Sequence, residues 1–237
     1  GGSVMFLSAA DIQLGRGEPI EDTARVMGRM IDGAVIRTFA HSDVEVFAEN
    51  SQIPTINALT DDEHPCQILA DLQTIREKLG GVEGRSVCFI GDGACNVARS
   101  WIWAAAHLDF ELRIAAPEGY QPDKNTLERA RKTGRIVVCS DLAEAVRGAD
   151  VLYTDVWVSM GKEDEAAERL NVMAPYQIND ALVRAALPGA IVMHCLPAYR
   201  GKEITAATFE AHSATLFDQA ENRLHAQKAI LQLIARS

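Results

Sequence analysis

Short runs rich in β-branched residues alternate with stretches whose apolar residues recur every three or four positions, and the alternation continues along almost the whole chain. A run apolar throughout suits a strand buried on both faces, and three-to-four spacing suits a helix lying on a sheet. The pattern predicts an α/β protein with two domains, each a parallel sheet covered by helices on both faces. Strands are expected near 3–8, 33–38, 53–57, 86–91, 112–116, 135–139, 150–155, 190–195 and 214–217. The best-marked helices cover 20–31, 65–79, 96–108, 123–133, 178–186 and 220–235.

At "KLGGVEGRS" an apolar helix stops on paired glycines and a new strand, "SVCFIGDG", begins. The expected division is a first domain over 1–80, a Rossmann-like second domain over 81–219, and a last helix, 220–237, packing back on the first domain. The first part supplies only three predicted strands, so it is either short or lacks its beginning, and its sheet edge has to be covered.

Composition narrows the class. The 237 residues are 48% hydrophobic and 24% charged, which suits a globular chain able to bury two cores. A formal charge of −10 argues against nucleic acid or an anionic membrane surface as the main partner, while leaving room for a local basic pocket. The five cysteines, at 66, 88, 95, 139 and 195, form no C-x-x-C pair and have no histidine at zinc-ligand spacing. They read as reduced thiols in a cytosol-like compartment, which predicts a cytoplasmic protein or one of an organelle already processed. No apolar run approaches the ~18 residues that a membrane-spanning helix needs.

In open parallel sheets, ligands bind beyond the carboxyl ends of the strands, so polar residues at those positions carry the most weight. Arg37 closes "AVIRTF"; Asp92, Gly93 and Asn96 follow "SVCFI"; Asp155 ends "VLYTD"; His194 and Cys195 end "AIVMHC". "GDGACN" invites a dinucleotide reading, but Asn96 stands where the third glycine of G-x-G-x-x-G belongs, and glycines that only turn a strand into a helix explain it equally well. In "EHPCQ", Pro65 suits the first helical position, which puts His64 at the cap and Gln67 in the first turn. The free N–H groups there favour an anion or a polarised carbonyl oxygen, with His64 as a donor, although Asp61, Asp62 and Glu63 can equally be complementing the helix dipole. Cys195 reads either as a core thiol or, given the proline two residues on, as part of a turned Leu196–Pro197 unit that aims a carbonyl into a cleft. Ser159 can be a plain helix cap and Met160 a filler; Asp155, beside Trp157, needs a partner.

Taken in order, "HPCQ", "DVWVSMG", "HCLP" and "ENR", with "QLGRGEPIEDTARV" before them, resemble the ornithine carbamoyltransferases of the aspartate/ornithine carbamoyltransferase family over the whole chain. The resemblance implies transfer of the carbamoyl group of carbamoyl phosphate to the δ-amine of L-ornithine, with no metal or organic cofactor, in a homotrimer or an assembly of trimers. It assigns catalysis to Cys195, Asp155, His64 and Arg37. It assigns carbamoyl phosphate to Gln13, Arg37, His64, Pro65, Cys66, Gln67, Cys195, Leu196 and Arg223, with Gln13 reaching the neighbouring subunit. Ornithine falls to Asn96, Asp155, Ser159 and Met160, and a segment around 158–170 is expected to close over it. The family's Ser-x-Arg-Thr-Arg phosphate loop would precede "GGSVMFLS" and is not within the 237 residues; a polypeptide heavier than 25.8 kDa by several kilodaltons would carry it, and these 237 residues alone are expected to show little turnover. Two other readings stay open: an inactive binding or assembly subunit that keeps the fold, and a nicotinamide-dependent oxidoreductase domain, against which Asn96 counts.

Overall fold

A computed structural model describes residues 2–8, 17–158 and 163–235. The chain forms two compact units, Gly1–Glu63 and His64–Ser237. In the first, helix α1 (Ile20–Met27), strand β1 (Ala34–Arg37), helix α2 (His41–Ser51) and strand β2 (Thr55–Leu59) follow one another. The strands pair in parallel, Ala34 opposite Thr55. Ala24, Ala34 and Phe47 are buried against Ile20, Met27, Ile31, Ile36 and Ile53. Gly28, just past α1, meets the end of α2 so closely that a Cβ would lie 2.0 Å from the Ser51 carbonyl oxygen, so any larger residue would force the two helices apart. The strand expected over 3–8 is not formed: a strand needs a ladder partner, and among the described residues none pairs with this run.

The second unit begins with helix α3 (Pro65–Leu79) and continues β3 (Ser86–Ile90), α4 (Asn96–His107), β4 (Glu111–Ala115), α5 (Lys124–Ala130), β5 (Arg135–Cys139), α6 (Leu142–Val146) and β6 (Val151–Thr154). Helices α7 (Ala166–Met173) and α8 (Asp180–Ala185), strand β7 (Ile191–His194), and helices α9 (Ala206–Ala211) and α10 (Ser213–Ile234) complete it. All five strands are parallel, in the order β5-β4-β3-β6-β7. Side chains alternate across the sheet and divide the core in two. Val87 and Phe89 join α3, α4 and α5 through Ile75, Trp101 and Leu127; Cys88 and Ile90 join α6, α8, α9 and α10 through Val146, Leu182, Phe209 and Leu216. The helices therefore cover both faces.

The strand expected over 214–217 is instead the first turn of α10. The β-branched and aromatic run "ATLF" argues for a strand, but tertiary packing decides otherwise: Leu216 is buried and the Phe217 ring stands edge-on to Phe209 at 6.0 Å. By compactness α3 groups with the chain that follows it. The reason is α10, which lies along α3 and bonds to it through Asn222 Nδ2 to Thr74 Oγ1, 3.0 Å, and Gln219 Nε2 to Asp71 Oδ1, 2.7 Å. No helix among the described residues is long and apolar enough to cross a membrane.

Candidate active site

The chain runs from β3 outward through β4 to β5, then returns to lay β6 and β7 on the other side of β3. Such a reversal opens a crevice beyond the carboxyl ends of the two central strands. Asp155, one residue past β6, and Cys195, one residue past β7, meet there: Cys195 Sγ donates to Asp155 Oδ1 at 2.9 Å, and the Val156 N–H donates to the same oxygen at 2.7 Å. Both residues are half-buried. Burial raises the Asp155 pKa above the usual carboxylate range, opposed by His194 and by the hydrogen bonds from Cys195 and Val156. Burial, then the Asp155 carboxylate, holds the Cys195 thiol well above its ordinary value. Cys195 is therefore a protonated donor, not a thiolate.

His194 makes the turn rigid. Its Nδ1 accepts from the Leu196 N–H at 2.8 Å, so the ring proton sits on Nε2 and is donated to Glu203 Oε1 at 3.2 Å. Glu203 Oε1 also accepts from the Tyr199 N–H at 2.5 Å, pinning the chain on the far side of Pro197. The Leu196–Pro197 bond is cis, and Leu196 has φ of 56°. Asp155, His194 and Cys195 each offer one ligand atom within 4.8 Å of the others, but both nitrogens of His194 are already engaged in this turn.

A second cluster joins the start of α3 to α10. His64 occupies the N-cap and Pro65 the first helical position, as the spacing predicts. The His64 N–H is anchored by Ser100 Oγ at 2.8 Å. Arg223 Nη1 donates to Gln67 Oε1 at 2.7 Å and faces His64 Nε2 at 3.4 Å. A guanidinium can only donate, so here His64 Nε2 accepts and the ring proton sits on Nδ1, the nitrogen through which the residue can still donate. Arg223 lies in the third turn of α10 rather than opening it, and reaches the cluster because residues 219, 222 and 223 share one helix face. Cys66 is buried; burial raises its pKa and the charge of Arg223 opposes the rise.

A model of the aspartate/ornithine carbamoyltransferase carbamoyl-P binding domain matches residues 1–77, and one of the Asp/Orn binding domain of the same enzymes matches residues 83–234. The chain belongs to the aspartate/ornithine carbamoyltransferase family. An ornithine carbamoyltransferase from Methanothermobacter thermautotrophicus is 57% identical, over 98% of this chain and 78% of its own length. The anabolic ornithine carbamoyltransferase of Pseudomonas aeruginosa is 53% identical, over 99% and 76%. Among solved structures, the anabolic ornithine carbamoyltransferase of Campylobacter jejuni superposes with a TM-score of 0.92 at 40% identity, covering 98% of this chain and 78% of that one.

Within this carbamoyltransferase chain, "GDGACN" is a structural joint. Asp92 pairs with Arg169 Nη1 at 2.7 Å, both side chains only 8% exposed. A Cβ on Gly93 would lie 2.8 Å from Ile114 Cγ2 and 3.1 Å from the Tyr120 carbonyl oxygen, so that glycine is needed for packing against the protein itself rather than for approach to a pyrophosphate. The cap of α4 is Cys95, whose Sγ accepts from the Ala98 N–H at 3.4 Å; Asn96 is the first helical residue. Arg37 ends β1 in the first unit with its side chain exposed. Gln13, Ser159 and Met160, and with them part of the segment expected to close over substrate, lie outside the described residues. The sequence reading overlooked Asp71, Gln219, Glu203 and Arg169. The signal for Asp71 was present, an acid four residues after Gln67 inside the apolar face of "QILADLQTI".

Proposed function

We propose that this protein transfers the carbamoyl group of carbamoyl phosphate to the δ-amine of L-ornithine, giving L-citrulline and phosphate. The observation that carries the reading is the half-buried Asp155 carboxylate, bonded by a protonated thiol and a backbone N–H, at the crevice of a fold shared with ornithine carbamoyltransferases at 57% identity.

An ornithine δ-amine, with a pKa near that of lysine at about 10.4, must lose a proton before it attacks, which costs about 4.6 kcal/mol at pH 7. Asp155 orients the ammonium and, with its pKa raised by burial, is a better proton acceptor than an ordinary carboxylate. Cys195 stays protonated and hydrogen-bonds Asp155, fixing the carboxylate and bounding the space for the amine. The amine lone pair forms the new C–N bond and the bond from carbon to the phosphate oxygen breaks with its electron pair. Of the two protons the nitrogen gives up, one ends on phosphate and one in solvent. Negative charge that builds on the carbamoyl oxygen is met by donors from His64 and Arg223, and the resemblance to the family adds Arg37 as a donor to the same oxygen; each donor to that charge lowers the barrier. Gln67 Oε1 and the Leu196 carbonyl accept from the carbamoyl NH₂, and Pro65 and Cys66 shape the start of α3 around it. Asn96, Ser159 and the Met160 backbone hold the α-amino and α-carboxylate groups of ornithine.

Assembly as a homotrimer, with Gln13 reaching the neighbouring subunit, belongs to the same reading. Five free thiols, at Cys66, Cys88, Cys95, Cys139 and Cys195, support a reducing, cytoplasmic setting. The test is citrulline formation from carbamoyl phosphate and L-ornithine by the complete polypeptide that carries these residues. Transfer to ornithine in preference to aspartate is the expected result, and preference for aspartate would refute the assignment of substrate.

A further inference from the structure

Asp71 is fully buried on α3, one helical turn beyond Gln67 and on the same face, and it takes no part in the chemistry described above. A single atom, Asp71 Oδ1, accepts from Gln67 Nε2 at 2.8 Å and from Gln219 Nε2 at 2.7 Å. A glutamine amide has an NH₂ face and a carbonyl face, so once the NH₂ is held by the carboxylate the carbonyl oxygen points the other way. Gln67 thereby turns Oε1 to Arg223 Nη1 at 2.7 Å, and Gln219 turns Oε1 to the His194 N–H at 2.9 Å, one residue before Cys195. If either amide were reversed, an NH₂ would face a guanidinium or a backbone N–H, donor against donor. One acceptor atom thus sets the polarity of two side chains that lie against two different parts of the site.

Stability alone does not account for a carboxylate here. Its other oxygen, Oδ2, has no hydrogen-bond partner among the described residues, and an Asn at this position would offer the two amides the same acceptor without the cost of desolvating a charge. Burial pushes the Asp71 pKa up to about 7, against the hydrogen bonds from Gln67 and Gln219, the nearby Tyr153 hydroxyl and the charge of Arg223. The acceptor at Oδ1 remains whether or not Oδ2 carries a proton.

We propose that Asp71 is a positioning residue for carbamoyl transfer, holding the Gln67 and Gln219 amides in the one orientation that aims Gln67 at Arg223 and fixes the end of β7 that carries Cys195. The inference rests on the transferase reading for its kinetic consequence, but not for the orientation itself.

The variants that test it are Asp71→Asn and Asp71→Leu of the complete polypeptide, compared with wild type by steady-state kinetics in both substrates and by thermal melting. Asn keeps a carbonyl oxygen where Oδ1 sits, so kcat within about three-fold of wild type is expected. Leu removes the acceptor, so kcat should fall by about ten-fold or more without a matching fall in melting temperature, because misaligned groups slow the chemical step of folded molecules. A smaller loss for Asp71→Leu, or an equal loss for Asp71→Asn, overturns the proposal. If Asp71→Leu does not fold, Gln219→Met, which severs one arm only, takes its place under the same criterion. Wild-type protein that forms no citrulline would sink the transferase reading alone; the positioning role is then decided by a crystal structure of Asp71→Leu or, failing that, Gln219→Met. In Asp71→Leu, a turned Gln67 amide that has lost its bond to Arg223 supports the role and an unmoved one overturns it; in Gln219→Met, which leaves the Gln67 arm intact, a displaced His194–Cys195 end of β7 supports the role and an unmoved one overturns it.

Discussion

Asp92 lies two residues past β3 and Asp155 one residue past the neighbouring β6, yet only one of them is available to a ligand. Asp92 is closed off by Arg169, whose guanidinium also bonds Glu165 at 2.8 Å and lies over the Tyr120 ring at 5.0 Å. Asp155 Oδ1 is bonded by neutral donors, a thiol and a backbone N–H, and the residue remains half-buried. A buried carboxylate that owns a cation has its charge balanced within the fold, whereas one held by neutral donors gains most from a cation brought by substrate. Position after a strand therefore nominates an acid, and the charge of its partner decides what it does.

The largest effect that can break this comparison is on turnover. Replacing Asp155 by Ala should lower kcat by about a thousand-fold in a citrulline assay, because the amine loses both its acceptor and its orientation. A loss below ten-fold would place the chemistry elsewhere. Replacing Asp92 by Ala should act on folding instead. It leaves the buried Arg169 with Glu165, the Trp157 carbonyl and the Tyr120 ring and should cost about 3 kcal/mol in urea denaturation, with the folded fraction turning over within a few-fold of wild type. A catalytic defect without loss of stability would erase the distinction drawn between the two acids.

A smaller effect sharpens the picture of Asp155 and Cys195. Burial is the main cause of the raised Cys195 pKa and the Asp155 carboxylate the next, so neutralising the carboxylate in Asp155→Asn should lower that pKa and increase the thiolate fraction. Alkylation of Cys195 at pH 8, followed peptide by peptide in the mass spectrometer, should then run a few-fold faster than in wild type, at about 0.5–1 log unit of rate. An unchanged or slower rate would show that the carboxylate does not act on the thiol.

Much of this was legible in the sequence, and what was not has a physical reason. Helix α3 runs over 65–79 as its apolar spacing and Pro65 predict, and His64 falls at its cap, because both signals are local. The strand ends that present Asp155 and Cys195 are likewise read from short apolar runs followed by a polar residue. The mistaken strand at 214–217 came from trusting β-branched composition in a segment whose burial depends on Phe209 and the second core. Asp71 and Gln219 lie 148 positions apart, and the bond between them has no trace in either local pattern. Arg169 was missed for the same reason, since its partner Asp92 is 77 positions away and belongs to a loop that looked like a nucleotide motif.

The central claim is that Asp155 faces the δ-amine of ornithine and not its amino-acid head. L-norvaline keeps that head and the carbon chain but has no δ-amine, so its affinity in the presence of carbamoyl phosphate, measured by calorimetry for wild type and Asp155→Ala, isolates the point. Norvaline should bind both proteins within about three-fold, a difference below 1 kcal/mol, while only wild type converts ornithine. Loss of norvaline binding in Asp155→Ala, by ten-fold or more, would contradict the account.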